Sequence, residues 1–299
     1  MEQQKNKGIA KQKKKINGQS LLEEKDKEIK KYKKIDRYVE LLENEKFNVR
    51  KEAHKALMEQ GDLGYILASA WDKEWFEEFG GDYEKAVEMA KSLKGEEQEK
   101  LIEYLLSNEF VGSRFWDVRR DIIKFIREVE LKDERIIDVL VKSLKDEKNV
   151  RKAAAEALGQ LGVANDKVID GLVGALGDID WKVREAAARA LGKIAKENGI
   201  EEEIVERVIE LLESENWKKR EGAARALGQL GVANNKVIDG LVGALGDKNE
   251  DVRRAAVEAL KKITEQDLKA EERIKNWKLF MKGLEECGSS KVRVIKELL

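Results

Sequence analysis

Between Trp181 and Lys196, apolar residues recur at Val183, Ala186, Ala187, Ala190, Leu191 and Ile194, among others. The spacing i, i+3, i+4, i+7, i+8, i+11 places them on one face of an α-helix. Just upstream, Lys167–Leu176 predicts a second helix, with Val168, Ile169, Leu172, Val173 and Leu176 apolar. Gly177 suits its C-terminal stop, Asp178-Ile179-Asp180 reads as the turn, and Asp180 is placed to cap the next helix. Neither helix can bury its stripe alone, so the pair predicts stacking against copies of itself. Gly171 and Gly174, inside the outer helix, are expected where helices approach closely.

The copies are in the chain. Gly159–Asp178 (GQLGVANDKVIDGLVGALGD) returns at Gly228–Asp247, 69 positions later, with Asp166 replaced by Asn235. The repeat signatures centre on Arg151, Arg184, Arg220 and Arg253, spaced 33, 36 and 33, and Arg119 stands 69 residues after Arg50. A two-helix unit of about 34 residues therefore repeats along the chain, which predicts an all-α, right-handed solenoid. The expected array spans 44–263 and is degenerate at 62–95, where Trp71, Trp75, Phe76 and Phe79 share a helical spacing that suits either a hydrophobic plug or a ligand pocket. Before it, 20–43 predicts an amphipathic helix opened by a capping box at Ser20-Leu21-Leu22-Glu23 and carried by Leu22, Ile29, Tyr32, Val39 and Leu42. Residues 1–19, rich in Lys, Gln and Asn, predict a disordered basic tail. Residues 264–299, with Trp277 in helical register, predict a C-terminal helical cap.

Charge changes this picture modestly. The 59 Lys+Arg nearly balance 60 Asp+Glu, yet residues 1–34 hold twelve Lys against five acids. An excess of this kind suits electrostatic attachment to an anionic partner or simple solubility. No apolar run is long enough to cross a membrane and none resembles a signal peptide. The single cysteine, Cys287, excludes an internal disulfide framework and suits a reducing compartment, so a cytoplasmic protein is expected. The absence of proline and the abundance of Lys and Glu fit a heat-tolerant source.

The motif D-x-x-VR-x-x-A-A-x-A-L-G stands here as Asp180-Trp181-Lys182-Val183-Arg184, then Ala187, Ala188, Ala190, Leu191 and Gly192. It resembles the short HEAT-like repeat of bilin-lyase-type and archaeal α-solenoid proteins. The likeness is close over 146–263, fair over 43–61 and 101–129, and weak over 62–95 and beyond 264. The resemblance implies that Arg151, Arg184, Arg220 and Arg253 join a structural Asp/Arg ladder between repeats. It also implies that the second helix of each repeat lines the concave face. The ligand-facing positions are then those before the Val-Arg pair and those one, two, five and nine after Arg.

Those positions supply the functional expectation. Three residues before Arg stand Phe47, Trp116, Trp181 and Trp217, either packed between repeats or lined up as aromatic anchors, the residue type that dominates binding hot spots. Lys182, Arg189, Lys193, Lys218 and Arg225 lie nearby, offset by Glu185 and Glu221. The pattern predicts a non-catalytic scaffold that takes a protein or peptide partner in its groove. The alternative is nucleic-acid binding through the Lys-rich N-terminus and the basic groove. A third reading is a HEAT-fold enzyme, bilin lyase-like or DNA glycosylase-like, the latter with Asp117 beside the tryptophans. With His54 as the only histidine, a His-based metal site and a Ser-His or Cys-His nucleophile have no support. No catalytic residue, metal or cofactor is expected.

Overall fold

A computed structural model describes residues 29–108 and 110–266. The expected basic tail, the Ser20 capping box with Leu22, and the cap residues 267–299, including Trp277 and Cys287, lie outside the described residues. Among the described residues every regular element is helical. The chain divides into two compact units, Met1–Ile122 and Ile123–Leu299.

In the first unit, helix α1 covers 29–42 and buries Ile35, Val39 and Leu42. Five helices follow: α2 (Phe47–Met58), α3 (Gly61–Trp71), α4 (Lys73–Glu78), α5 (Tyr83–Ser92) and α6 (Gly95–Leu105). The stretch 62–95 is built of short helices joined by brief turns and does not carry its aromatic residues on one helix. Asp72 interrupts the run at φ −153°, ending α3, and its carboxylate accepts from the Trp75 amide to start α4. A short acidic side chain offers the backbone a cap in preference to a continued helix. Trp71 and Phe76 are buried on either side of this break.

Helix α7 (Trp116–Val129) contains the boundary between the units. The second unit then alternates outer and inner helices: α8 (Glu134–Ser143), α9 (Lys148–Leu161), α10 (Asp166–Ala175), α11 (Trp181–Asn198), α12 (Glu201–Ile209, continued by a 3-10 turn Glu210–Glu213), α13 (Trp217–Leu230), α14 (Asn235–Ala244) and α15 (Glu250–Gln266). Helices α9, α11, α13 and α15 pack side by side as one layer, and each pairs with its outer helix in the other. The elements are a solenoid of helix pairs, with the core between the two layers.

Local chemistry sets the ends. Asn165, Asp180, Asn216 and Asn234 accept backbone amides at the starts of α10, α11, α13 and α14. In both copies of the duplicated block the inner helix ends on a left-handed glycine, Gly162 at φ 67° and Gly231 at φ 72°, a conformation that costs other residues about 1–2 kcal/mol. Outer helix α10 stops differently: the Gly177 amide reaches Gly174 O at 3.2 Å in a tightened last turn. A Cβ on Gly159 would stand 2.7 Å from Ala190 Cα, and one on Gly228 2.7 Å from Ala259 Cα. These glycines let adjacent inner helices touch. Gly171 is tightly packed against Leu144 and Val141, whereas Gly174 has no neighbour within 4 Å of a Cβ, so close packing accounts for only one of the pair.

Candidate partner-binding surface

Each signature arginine is the fourth residue of its helix and reaches backwards into the preceding turn. Nη1 donates to the carbonyl six residues upstream in five repeats: Arg50 to Asn44, Arg119 to Ser113, Arg184 to Asp178, Arg220 to Ser214 and Arg253 to Asp247, at 2.6–2.9 Å. Arg151 reaches Asp146 O, five residues back, at 2.7 Å. Arg151 and Arg220 also bind the next repeat with a two-pronged ion pair. Arg151 holds Asp178 at 2.7 and 2.8 Å, and Arg220 holds Asp247 at 2.6 and 2.9 Å.

Arg184 has a different partner. The residue equivalent to Asp178 and Asp247 in the following repeat is Ser214, whose hydroxyl keeps the turn hydrogen bond to the Asn216 amide but carries no charge. Arg184 instead meets Glu221 of α13 at 2.5 Å, with both side chains buried. Glu221 also accepts from Arg225 on its own helix, and Arg225 reaches Glu258 of α15 at 3.3 Å. Burial pulls the Arg225 guanidinium down, but the Glu221 hydrogen bond and the charges of Glu221, Glu258 and Glu185 outweigh it and hold its pKa above the ordinary arginine value. Glu221 and Arg225 together thus link three repeats. From the sequence Glu221 is only an offsetting charge; the signal for its role is Ser214, which stands where the flanking repeats have Asp178 and Asp247.

The four aromatic residues three positions before Arg divide by environment. Trp181 is 53% exposed and Ile179, two residues earlier, is 76% exposed. Trp217 is half-buried, with the Arg184 guanidinium 5.5 Å from its ring centroid and Lys218 Nζ at 5.6 Å. It packs between repeats. In the first unit, Trp116 is exposed beside Arg120, whose guanidinium lies 5.3 Å from the ring, and Phe47 meets Trp75 edge-on at 5.1 Å. Trp181, Glu185, Arg189 and Lys193 succeed one another every four residues along α11, so Trp181 heads a ridge of exposed and half-exposed polar side chains. Lys182 is exposed near the Trp181 ring at 5.7 Å.

The first unit also encloses His54. It is fully buried among Trp71, Trp75 and Phe79 at ring-centroid distances of 5.8–6.0 Å. Nε2 donates to Ala68 O at 2.9 Å, while Nδ1 is buried without a partner. Burial drives its pKa down to about 4. Asp72 moves the other way, to about 6, through burial and the nearby acids Asp121, Glu74 and Asp117. The aromatic group is therefore a packed cage around a neutral imidazole. Among the described residues no group of three or more His, Cys, Asp or Glu is arranged to hold a metal ion, and no helix is long and apolar enough to cross a membrane.

No curated protein matches the sequence. Among solved structures, the chain is similar to an engineered protein at 23% identity and a TM-score of 0.35, over 77% of this chain and 96% of that one. A designed armadillo repeat protein in complex with the peptide (KR)4 aligns at 18% identity and 0.36, over 76% and 98%. A mutant of Kap121p aligns at 16% and 0.47, over 89% of this chain and 33% of that one. The family model for HEAT repeats matches residues 99–192, 148–204 and 205–271. Together these matches cover more than half of the sequence and take in the helix pairs of the second unit, and the chain belongs to the HEAT-repeat family.

Proposed function

We propose that the protein is a non-catalytic scaffold that binds a protein or peptide segment along its inner helices. The observation that carries this reading is Trp181. A large aromatic side chain, more than half exposed, stands at the head of the α11 ridge with Ile179 beside it. In the duplicate repeat the same two turn positions are Lys248 and Glu250. Burying the exposed parts of a tryptophan and an isoleucine against a partner contributes on the order of a few kcal/mol of favourable transfer energy. Arg189 and Lys193 lie on the same helix and give the partner a cationic surface to meet. Phe47 and Trp116, also exposed, offer comparable anchors in the first unit, whereas Trp217 and Arg225 act between repeats and contribute to binding through the shape they maintain.

Affinity capture from a lysate of the source cell, with nuclease present, tests the reading. Trp181→Ala is expected to lose the captured protein while the melting temperature stays unchanged, because an exposed site costs at most about 0.5 kcal/mol of stability. Capture that survives Trp181→Ala together with Trp116→Ala and Phe47→Ala defeats it. Material that disappears with nuclease transfers the function to nucleic acid.

A further inference from the structure

Two pockets on the inner-helix layer of the second unit are built from equivalent positions of different repeats, so each serves as a control for the other. The first, about 260 Å3, lies between α9 and α11 over a floor of Gly159, Ala186 and Ala190. The second, about 110 Å3, lies between α13 and α15 over Gly228, Ala255 and Ala259. The floors match because the same glycine-on-alanine contact brings each helix pair together. The rims do not match. Five residues after the signature arginines the first pocket has Glu156 and Arg189, and the second has Arg225 and Glu258, with the signs exchanged.

That exchange changes what each rim does. In the second pocket Arg225 crosses to Glu258 at 3.3 Å, and Glu185 adds a further carboxylate, so two cations (Arg225, Lys262) meet two acids. In the first, Glu156 is engaged by Arg127 at 3.4 Å and Lys152 at 3.3 Å. Arg189, 55% exposed, has its carboxylate contact on its own helix, Glu185 at 3.5 Å. Lys193 is held loosely by Glu197 at 3.6 Å and Gln160 O at 3.4 Å. Three cations, Arg127, Arg189 and Lys193, therefore surround an open pocket that contains one carboxylate. A cationic, partly enclosed cleft concentrates anionic groups, and a guanidinium at its edge can grip a carboxylate through two parallel hydrogen bonds.

We infer that the pocket between α9 and α11 is a carboxylate subsite for an Asp or Glu side chain of a bound peptide segment. The inference rests on the scaffold reading above and adds the chemistry of one contact. It also sets a spacing. Trp181 and Arg189 are eight residues apart on one helical face, about 12 Å along the axis. An extended segment rises about 3.3 Å per residue, so the apolar residue that rests on Trp181 stands three or four positions from the acid.

Selection of a displayed random 12-residue peptide library on the full chain tests this. The expected result is enrichment of peptides with an acidic residue three or four positions from an aromatic or large aliphatic one. Fluorescence polarisation of an enriched peptide should weaken at least tenfold with Arg189→Glu and severalfold with Arg189→Gln. Glu258→Arg should leave that affinity unchanged. Both Arg189 variants alter an exposed side chain, and circular dichroism verifies that they fold. Peptides enriched without an acid, or bound equally by Arg189→Glu but not by Trp181→Ala, overturn the carboxylate subsite and leave the scaffold reading standing. No enrichment on any variant overturns both. Tighter binding of a labelled oligothymidine that competes at Arg189 assigns the cations to phosphate and overturns the peptide subsite.

Discussion

At the residue scale, Glu221 and His54 show how much a single buried polar group depends on its surroundings. Glu221 accepts from Arg184 and Arg225 while almost fully enclosed. Removing one member of a buried ion pair leaves the other charge desolvated, at about 3–5 kcal/mol. Glu221→Ala is therefore expected to cut stability by that order in urea unfolding, and Ser214→Asp in the same chain should recover part of it by restoring the ladder acid beside Arg184. If Ser214→Asp recovers nothing, Ser214 does not occupy the ladder position. His54 behaves in the opposite sense to a surface histidine. Its folded pKa, about 4, lies below the ordinary 6.5, so the unfolded chain takes up a proton that the folded chain refuses as pH falls from 6.5 towards 4. Stability present above 6.5 is lost across that window, by about 3 kcal/mol. Asp72 opposes it. Its folded pKa, about 6, is raised from 3.8, so its destabilising effect is fully present above 6 and fades as pH falls to 3.8. His54→Gln should flatten the acid limb of a stability–pH profile, and Asp72→Asn should stabilise the chain at pH 7.5 with an advantage that vanishes below pH 4. Asn keeps the cap on α4, so that comparison isolates the charge.

At the element scale, the glycines of the repeat serve different ends even where the sequence repeats them. Gly159 and Gly228 are contact points between inner helices, and an added methyl there meets backbone. Gly159→Ala is expected to destabilise by about 1–3 kcal/mol through overpacking. Gly174 lies inside α10 with open space around it, and Gly174→Ala should stabilise by up to about 1 kcal/mol through helix propensity. Thermal melts of the two single variants should move in opposite directions. Movement in the same direction would show that neither the contact nor the open face is as described. The tryptophans divide in the same way. Trp217→Ala removes packing against Arg184 and should lower the melting temperature, whereas Trp181→Ala should not.

At the scale of the whole molecule, the chain presents two units of different character. The second is a regular array in which each helix pair leans on its neighbours, so its stability approximates a sum of repeat and interface terms. The first is irregular, and its core holds the His54 cage. With the opposing carboxylate removed by Asp72→Asn, hydrogen exchange at pH 5 should therefore show amides of α2 and α3 losing protection before those of α11 and α13, while at pH 7.5 the contrast narrows. Uniform loss at both pH values would mean that His54 does not govern the acid response.

The repeat, its helix pairs and the all-helical class were legible from residue order alone. Apolar spacing, alanine runs and cap residues such as Asp180 are local signals, and a unit that packs on copies of itself carries its fold in its own sequence. The candidate surface was only partly legible. Position within the repeat marked Trp181, Arg189 and Lys193 as outward-facing, but could not separate Trp181 from Trp217, because that depends on where Arg184 lies in the adjacent repeat. It placed the aromatic group of 71–79 on one helix, since i+4 spacing is blind to the cap that Asp72 provides. Above all, charges counted one by one along the chain did not show which are already spent. Arg225 and Arg189 occupy the same position in successive units. The packing of α13 against α15 gives Arg225 a carboxylate across the groove, whereas Glu156 meets Arg127 and Lys152 and Arg189 has its carboxylate contact on its own helix. Sequence determines which side chains a repeat presents; tertiary structure decides which of them remain available, because ion pairing acts through distances between helices that no local pattern records.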